Sequence, residues 1–497
     1  MSLPPGTSVQ ATETAGQAPV KRLYYGWYIV AVCNVVAVMT WGIGVFNQGV
    51  FLGYFVQAYG WPRDALSFGP LLFYLWAGVA GFMIGRVIDR CGPRPILVAG
   101  ALFLGAGTTA LGFAAQPWHV YPGFLLLGSG YACLHTVTLG AIVSRWFVRE
   151  RARAMGAATI GASFGGMILA PLNAALLTGW GGPTGGLTLA VIAIVLVVPL
   201  ALWVVKDGPE AVGQHVDGES SAVAPAAGSS VRTSAVGATV APNVDGQPTP
   251  AAGAEVGAVA ARRAAAARLA DDRDWPVREA ARSAAFWAIA VPFHLTMMAQ
   301  GGFLVHQVLL LQPTFGFVTA ATIVSATTIM GAVGRVAFTA AGSRWPPRQI
   351  AALMFAVQAV AIGLTALGLG LSTAGVAVGL PAEGAGWPAL DGAAWVLVLG
   401  SVTFGLSMGV VVSVLPVVAD CFGRRSFGRV YGPIYLAIQI GTGLGSLVFG
   451  LTATAFGSYR PVLTVMAGTL LLAAFGVRWA RQPAAAPAGS RAPGRAG

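Results

Sequence analysis

Arg335 stands inside "ATTIMGAVGRVAFTA" (residues 326–340), an apolar run with no loop near enough to receive it. The other basic residues among the 29 lysines and arginines fall in gaps, at ends or in tails. Arg335 lies roughly six residues, ~9 Å of helix, from the nearer end of its run. A charge near a bilayer centre costs about 2.5–3.5 kcal/mol on insertion scales and marks a functional site by default. The planar, forked guanidinium matches a carboxylate, so the chemistry on offer is docking of an organic anion. The alternative is snorkelling, in which the long side chain reaches the interface and binds nothing. No Asp or Glu falls in the middle of an apolar run, and Asp64, Asp89 and Asp420 lie at ends. One buried cation neutralises one carboxylate, whereas a dianion would leave net charge desolvated. A monocarboxylate is therefore the favoured partner.

Three histidines in apolar runs, His306, His294 and His135, could carry protons, because imidazole titrates near neutrality. His306 comes first, since "HQ" (His306 and Gln307) follows the Gly301–Gly302 pair. The competing reading makes each a hydrogen-bonded packing residue. Asn34, Gln307, Tyr435 and Gln439, with Asn47, Gln48, Gln300 and Tyr431, are polar groups available to a central cavity. Hydrogen bonding between helices accounts for them equally well. The runs offer no HExxH, no paired carboxylates and no Cys/His set at ligand spacing, so neither an enzyme nor a cofactor or metal site is expected. Cys33, Cys91, Cys133 and Cys421 have no paired spacing and are expected as free thiols.

The elements that must hold these groups follow from composition. The chain is 56% hydrophobic and 9% charged, with a mean hydropathy of +0.73. Too few polar side chains remain to cover a water-soluble globule, so the partner of the surface is a lipid bilayer. A net charge of +12 does not signal nucleic-acid binding, because the basic residues are spread through short gaps instead of one folded surface. Apolar runs long enough to cross ~30 Å of hydrocarbon occupy 27–57, 65–88, 95–115, 119–146, 153–178, 185–205, 284–311, 317–341, 348–371, 393–419, 428–453 and 459–479. Backbone amides in lipid must be satisfied within each segment, which predicts an all-α membrane protein of twelve transmembrane helices.

Basic residues set the orientation. One side collects Lys21, Arg22, Arg86, Arg90, Arg94, Arg145, Arg149, Arg151, Arg153, Lys206, Arg344, Arg348, Arg424, Arg425, Arg429 and Arg478, while the other has Arg63 and Arg460. Both termini are thus expected in the cytoplasm. Residues 1–20 read as a disordered tail, 21–206 as an N-terminal six-helix half, 207–272 as an Ala/Gly/Ser/Pro linker, 273–481 as a C-terminal six-helix half and 482–497 as a second tail. Only two lysines against many arginines, with Ala-rich tails, point to a GC-rich bacterial genome and hence its cytoplasmic membrane.

Two loops repeat. "RWFVRERARAMG" (145–156) and "DCFGRRSFGRVYG" (420–432) each join an aromatic residue and arginines to a Gly-rich helix. Matching loops in two halves imply internal duplication. Between the second and third runs, "GRVIDRCGPRP" places Gly85, Asp89, Arg90, Gly92 and Arg94 at Gly-x-x-x-Asp-Arg-x-Gly-x-Arg spacing. This resembles the loop signature of the major facilitator superfamily. With "YYGWYIV", "HQVLLL" and "ADCFGRRSFGRVYG", the chain looks like the monocarboxylate porter and oxalate/formate exchanger branch.

That resemblance implies two six-helix halves with a midplane site, alternately open to either side. It makes Gly85, Asp89, Arg90, Gly92 and Arg94 a conformational latch, with Asp89 near the N-terminus of the eleventh helix. A topology signal alone is the alternative. The C-terminal counterpart carries Ser343 where the acid belongs. The resemblance also places a substrate-binding arginine at Arg335. Animal carriers of the branch have an aspartate one turn before it, where this chain has Gly331. The exchangers add a lysine in the eleventh helix, and this chain has lysine only at Lys21 and Lys206. The expected function is a secondary active transporter, acting as a monomer, that moves a monocarboxylate by exchange with a counter-anion or with protons. An efflux permease for hydrophobic compounds is the alternative, and a non-transporting sensor ranks below both.

Overall fold

A computed structural model describes residues 24–218, 275–342, 344–373, 392–423 and 427–480. The tails, most of the linker, Ser343, Arg424 and Arg425 lie outside the described residues, as does the side chain of Asp89. The helices are α1 (Gly26–Trp41), α2 (Asn47–Tyr59), α3 (Arg63–Cys91), α4 (Pro93–Gly112), α5 (Val120–Leu134), α6 (Thr136–Trp146) and α7 (Arg151–Pro199) in the N-terminal half. The C-terminal half has α8 (Ala284–Phe315), α9 (Phe317–Ala341), α10 (Pro347–Thr373), α11 (Gly392–Ser407), α12 (Val410–Phe422), α13 (Phe427–Phe456) and α14 (Arg460–Gly476). Each of the twelve expected runs falls on a helical rod. Several rods are built differently from the continuous helices expected. A π-turn at Gly42–Phe46 joins α1 to α2, His135 is extended between α5 and α6, and α11 and α12 meet across Met408–Gly409.

One rod makes two passes. Gly181 takes φ 78° and ψ 174° inside α7, a left-handed conformation that a Cβ would strain, and the chain folds back there. The same need explains Gly92 in the loop motif, which adopts φ 75° and ψ 173° between Cys91 and Pro93. Pro93 then opens α4, where its missing N–H costs nothing.

Without a hydrophobic force between helices in lipid, packing depends on close backbone approach. A Cβ at Gly161 would run into the Asn34 carbonyl, one at Gly445 into the Met298 carbonyl and one at Gly334 into the Leu406 carbonyl. Leu472, Trp203 and Phe475 are more than half exposed on the outside, where lipid would cover them. Arg86, Arg90, Arg94, Arg145, Arg153, Arg344, Arg348 and Arg478 gather at one end of the bundle, called the basic face below; Arg63 and Arg460 mark the opposite face.

Past α7 the chain stays attached to the N-terminal half instead of leaving at once as linker. Arg94 Nε donates to the Val205 carbonyl at 2.6 Å, Tyr25 Oη to the Val204 carbonyl at 2.8 Å, and the Tyr25 amide to Gln214 Oε1 at 2.9 Å. The carboxylate of Asp217 accepts the amides of Val148 and Arg149 at 3.1 and 2.9 Å. Burial, and next the neighbouring Asp217 carboxylate, push the Tyr24 hydroxyl up to about 12. It therefore remains a donor to the Trp146 carbonyl at 2.7 Å.

Candidate functional site

Two seams join the halves, and both end part-way through the bundle. Along α3 and α13, Ser67 meets Ser446 and Gly450, Leu71 meets Gly443, and Gly78 faces Gln439. Along α7 and α9, the Ser325 hydroxyl donates to the Met167 carbonyl at 2.8 Å, Gly166 packs on Thr328, and Arg335 Nη2 donates to Ser163 Oγ. Near the opposite face, Gly49 of α2 lies against the Leu304 and Val305 carbonyls of α8. At 100° per residue, Gly85 shares the face of Gly78, Gly432 that of Gly443, and Gly156 that of Ser163. All three meet open space. The halves are closed toward the opposite face and parted toward the basic face.

Arg335 sits where the closed seam gives way to the cleft. Its aliphatic stem crosses Gly409, in the break between α11 and α12, and Gly334 lets α9 touch α11 backbone to backbone. The guanidinium is directed to Ser163, itself 4% exposed. Gly331, one turn earlier, packs on Met408 and Gly405, so an acidic side chain there would displace Met408.

The N-terminal half also holds a wall of aromatic rings. Trp41, Tyr131 and His135 pack together, with centroids 4.5 Å apart for Tyr131–His135, 5.6 Å for Trp41–His135 and 6.2 Å for Trp41–Tyr131. Phe73 of α3 packs on Tyr131 of α5 at 5.1 Å and on the neighbouring Tyr74 at 4.8 Å between centroids. On α13, Tyr431 and Tyr435 have centroids 5.8 Å apart. Gln48 adjoins Tyr74. Gln48 Oε1 and Gln439 Nε2 are buried without a hydrogen-bond partner among the described residues.

The remaining expected site residues are placed elsewhere. His306 is fully buried in α8. Its Nε2 faces the Ser446 carbonyl at 3.0 Å and Ser67 Oγ at 3.1 Å, and its Nδ1 faces Tyr459 Oη at 3.0 Å. A carbonyl can only accept, so Nε2 carries the proton and Nδ1 accepts from Tyr459. Arg63 lies over the Tyr459 ring at 5.5 Å. This node closes the seam toward the opposite face, and the structure does not bring it to Arg335. Gln307, next in sequence, turns instead to α9 and donates to Thr327 Oγ1 at 2.8 Å. Asn34 donates to the Ala157 carbonyl at 2.9 Å, tying α1 to α7. His294 Nδ1 pairs with the Ala437 carbonyl at 2.7 Å. Of the three histidines, His135 belongs to the aromatic wall. In the loop motif, Gly85 borders the open cleft, Arg90 is exposed, and Arg94 holds its own half through Val205. The four cysteines are free thiols, with Cys91 exposed. Among the described residues no three His, Cys, Asp or Glu side chains group as metal ligands.

Residues 30–394, most of the chain, match the sequence profile of the Major Facilitator Superfamily. The chain belongs to this superfamily. It is 31% identical over 192 residues to monocarboxylate transporter 13 of Bos taurus, a match covering 37% of this chain and 41% of the relative. A 102-residue stretch is 35% identical to the fujikurins efflux protein of Gibberella fujikuroi, covering 20% of each. The chain thus spans less than half the length of these curated relatives. Among solved structures, a bacterial homologue of the human lysosomal transporter Spinster, in an inward-facing and occupied conformation, superposes with a TM-score of 0.62 at 14% identity. That match covers 92% of this chain and 97% of the other, and it speaks for the fold.

Sequence reasoning had not singled out Ser163, Trp41, Tyr74 or Tyr131. One signal was present: Tyr131 precedes His135 by four residues, and Tyr74 precedes Gly78 by four, so each pair shares a helix face.

Proposed function

We propose that this superfamily member is a secondary active transporter that carries a monocarboxylate by alternating access, with Arg335 as its docking group. The observation that carries the reading is the position of Arg335. It lies at the boundary between closed seam and open cleft, bonded across the halves to Ser163. A carboxylate entering from the basic face would meet a forked donor in a low-dielectric setting, where charge-assisted pairs are strongest. Rocking of the halves would then expose the same site to the other side. The basic face is taken as cytoplasmic, in a bacterial cytoplasmic membrane. Transport proceeds by exchange or with a proton, and His135 in the aromatic wall is the histidine best placed to carry one.

The test is a thermal-shift series of small organic acids on the purified protein, since a ligand stabilises the state it binds. At least one monocarboxylate should raise Tm, and Arg335→Gln should abolish the shift. An undiminished shift in that variant would remove Arg335 from the site. The aromatic wall and the efflux relative favour a second reading, a permease for hydrophobic compounds. Neutral compounds that compete as well as their acids would favour it over the first.

A further inference from the structure

The closure at the opposite face is wired for a neutral imidazole. Nε2 of His306 gives its one proton to the Ser446 carbonyl and Ser67 Oγ, and Nδ1 takes a hydrogen bond from the Tyr459 hydroxyl. Phe449 and Tyr459 flank the ring, with centroids 6.0 and 5.3 Å away. His306 and Tyr459 are both buried, so bulk water reaches neither nitrogen while the seam is shut. Arg63 of α3 brings a cation to this node, 5.5 Å over the Tyr459 ring. Arg460, at the start of α14, packs on Gly370 of α10 instead. The other neighbours are uncharged: α13 brings Ser446 and Phe449, and α2 meets the preceding residues of α8 through Gly49. No carboxylate is among the hydrogen-bond partners of His306, and Asp64, next to Arg63, keeps its buried Oδ1 without a partner among the described residues. A second proton would turn Nδ1 from acceptor into donor, force the Tyr459 hydroxyl away, and set an imidazolium near the Arg63 guanidinium in a low-dielectric setting. Arg63 and Ser67 belong to one half, His306 and Tyr459 to the other. Parting the halves therefore relieves the repulsion and wets the imidazole.

We infer that His306 is a proton-operated gate at the opposite face: the closed form holds the imidazole neutral, and proton uptake at Nδ1 drives the halves apart there. This proton is a trigger at the gate, separate from any that travels with the passenger. The inference rests on alternating access and not on the docking role of Arg335. By linkage, the open form binds the extra proton, so its population rises as pH falls. An imidazole free to titrate near its ordinary value of about 6.5 only in the open form would multiply that form by up to ~30-fold between pH 8 and pH 5. The test uses the full-length protein with Cys33, Cys91, Cys133 and Cys421 replaced and spin labels at Trp118→Cys and Phe456→Cys, exposed positions of the two halves at the opposite face. Pulsed electron resonance reads the distance between the labels at pH 8 and pH 5. The long-distance share should rise about fivefold or more on acidification. The rise should vanish in His306→Gln and shrink in Arg63→Gln, which keeps the histidine. A rise that persists in full in either variant would overturn the gate, as would no rise in the parent while Ser67→Ala shows the long distance. A single short distance at both pH values, in the parent and in Ser67→Ala, would overturn alternating access and the gate with it.

Discussion

Ser67→Ala should shift the protein toward the form open at the opposite face. Ser67 is fully buried on α3, and its hydroxyl bonds His306 Nε2 across the seam at 3.1 Å while donating to the Arg63 carbonyl one turn earlier at 2.6 Å. Removing it strands nothing on the histidine, because Nε2–H keeps the Ser446 carbonyl at 3.0 Å. The loss is therefore the net worth of one neutral hydrogen bond, about 0.5–1.5 kcal/mol, felt when that face is closed. This corresponds to a roughly two- to twelvefold rise in the open population. Arg63→Gln acts in the same direction by removing the cation from the Tyr459 ring, worth about 0.5–1 kcal/mol. Since both act on one node, the double variant should depart from the sum. The readout is labelling of Val308→Cys by a charged, membrane-impermeant thiol reagent, after Cys33, Cys91, Cys133 and Cys421 have been replaced. Val308 is 1% exposed and packs on Gly53, so it reacts only when that face parts. Labelling of Ser67→Ala no faster than that of the parent would refute the node as a closure of the seam.

Arg335→Lys keeps the charge but loses the fork, so carboxylate affinity should fall about tenfold and lie between those of the parent and Arg335→Gln in titration calorimetry. Gly445→Ala should lower Tm, because its Cβ would strike the Met298 carbonyl at the cost of about 1–3 kcal/mol. Gly468→Ala, which meets nothing within 4 Å, should leave Tm unchanged or slightly raised. Asp217→Ala should free the segment after α7 by removing the acceptor for the Val148 and Arg149 amides, at about 1 kcal/mol, whereas Asp217→Asn retains an acceptor and tolerates φ 58°. Limited proteolysis after residue 205 should accelerate in the first and little in the second.

The rods were legible because lipid leaves a helix no alternative, and their length follows from bilayer thickness. Gly92 was legible only as a member of the loop motif; the positive φ with which it turns the chain between Cys91 and Pro93 comes from the structure. The breaks were not. His135 is extended between two apolar stretches that carry no Pro or Gly at that position, so hydropathy reads straight through it. Nor does adjacency in sequence give adjacency in space. His306 and Gln307 are neighbours about 100° apart on α8, and one turns to α13 while the other turns to α9. Arg335 could be singled out because a charge in an apolar run is conspicuous. Ser163, its partner, is one small hydroxyl among many, and 172 residues separate the two.

The seams explain why such a passenger could drive the change of state. A carrier must keep its two forms within a few kcal/mol of one another, or one of them traps it. The cross-seam bonds named here are single and neutral at Ser67–His306, Ser446–Ser67, Ser325–Met167 and Gln312–Gln57, each worth about 1 kcal/mol. Arg335–Ser163 differs, because its donor is charged and is also the proposed docking group. On the proposed reading, an anion arriving at Arg335 would compete with Ser163 for Nη2, and docking would loosen the α7–α9 seam as the site fills. Ser163→Ala removes the competitor in advance. It should tighten carboxylate binding by about 1.5–3 kcal/mol, the net worth of a bond to a charged group and roughly twelve- to 150-fold, while weakening the coupling between binding and movement, so that turnover in proteoliposomes falls although affinity rises. Affinity and turnover falling together would mean that Ser163 helps hold the anion, and the competition between them would be refuted.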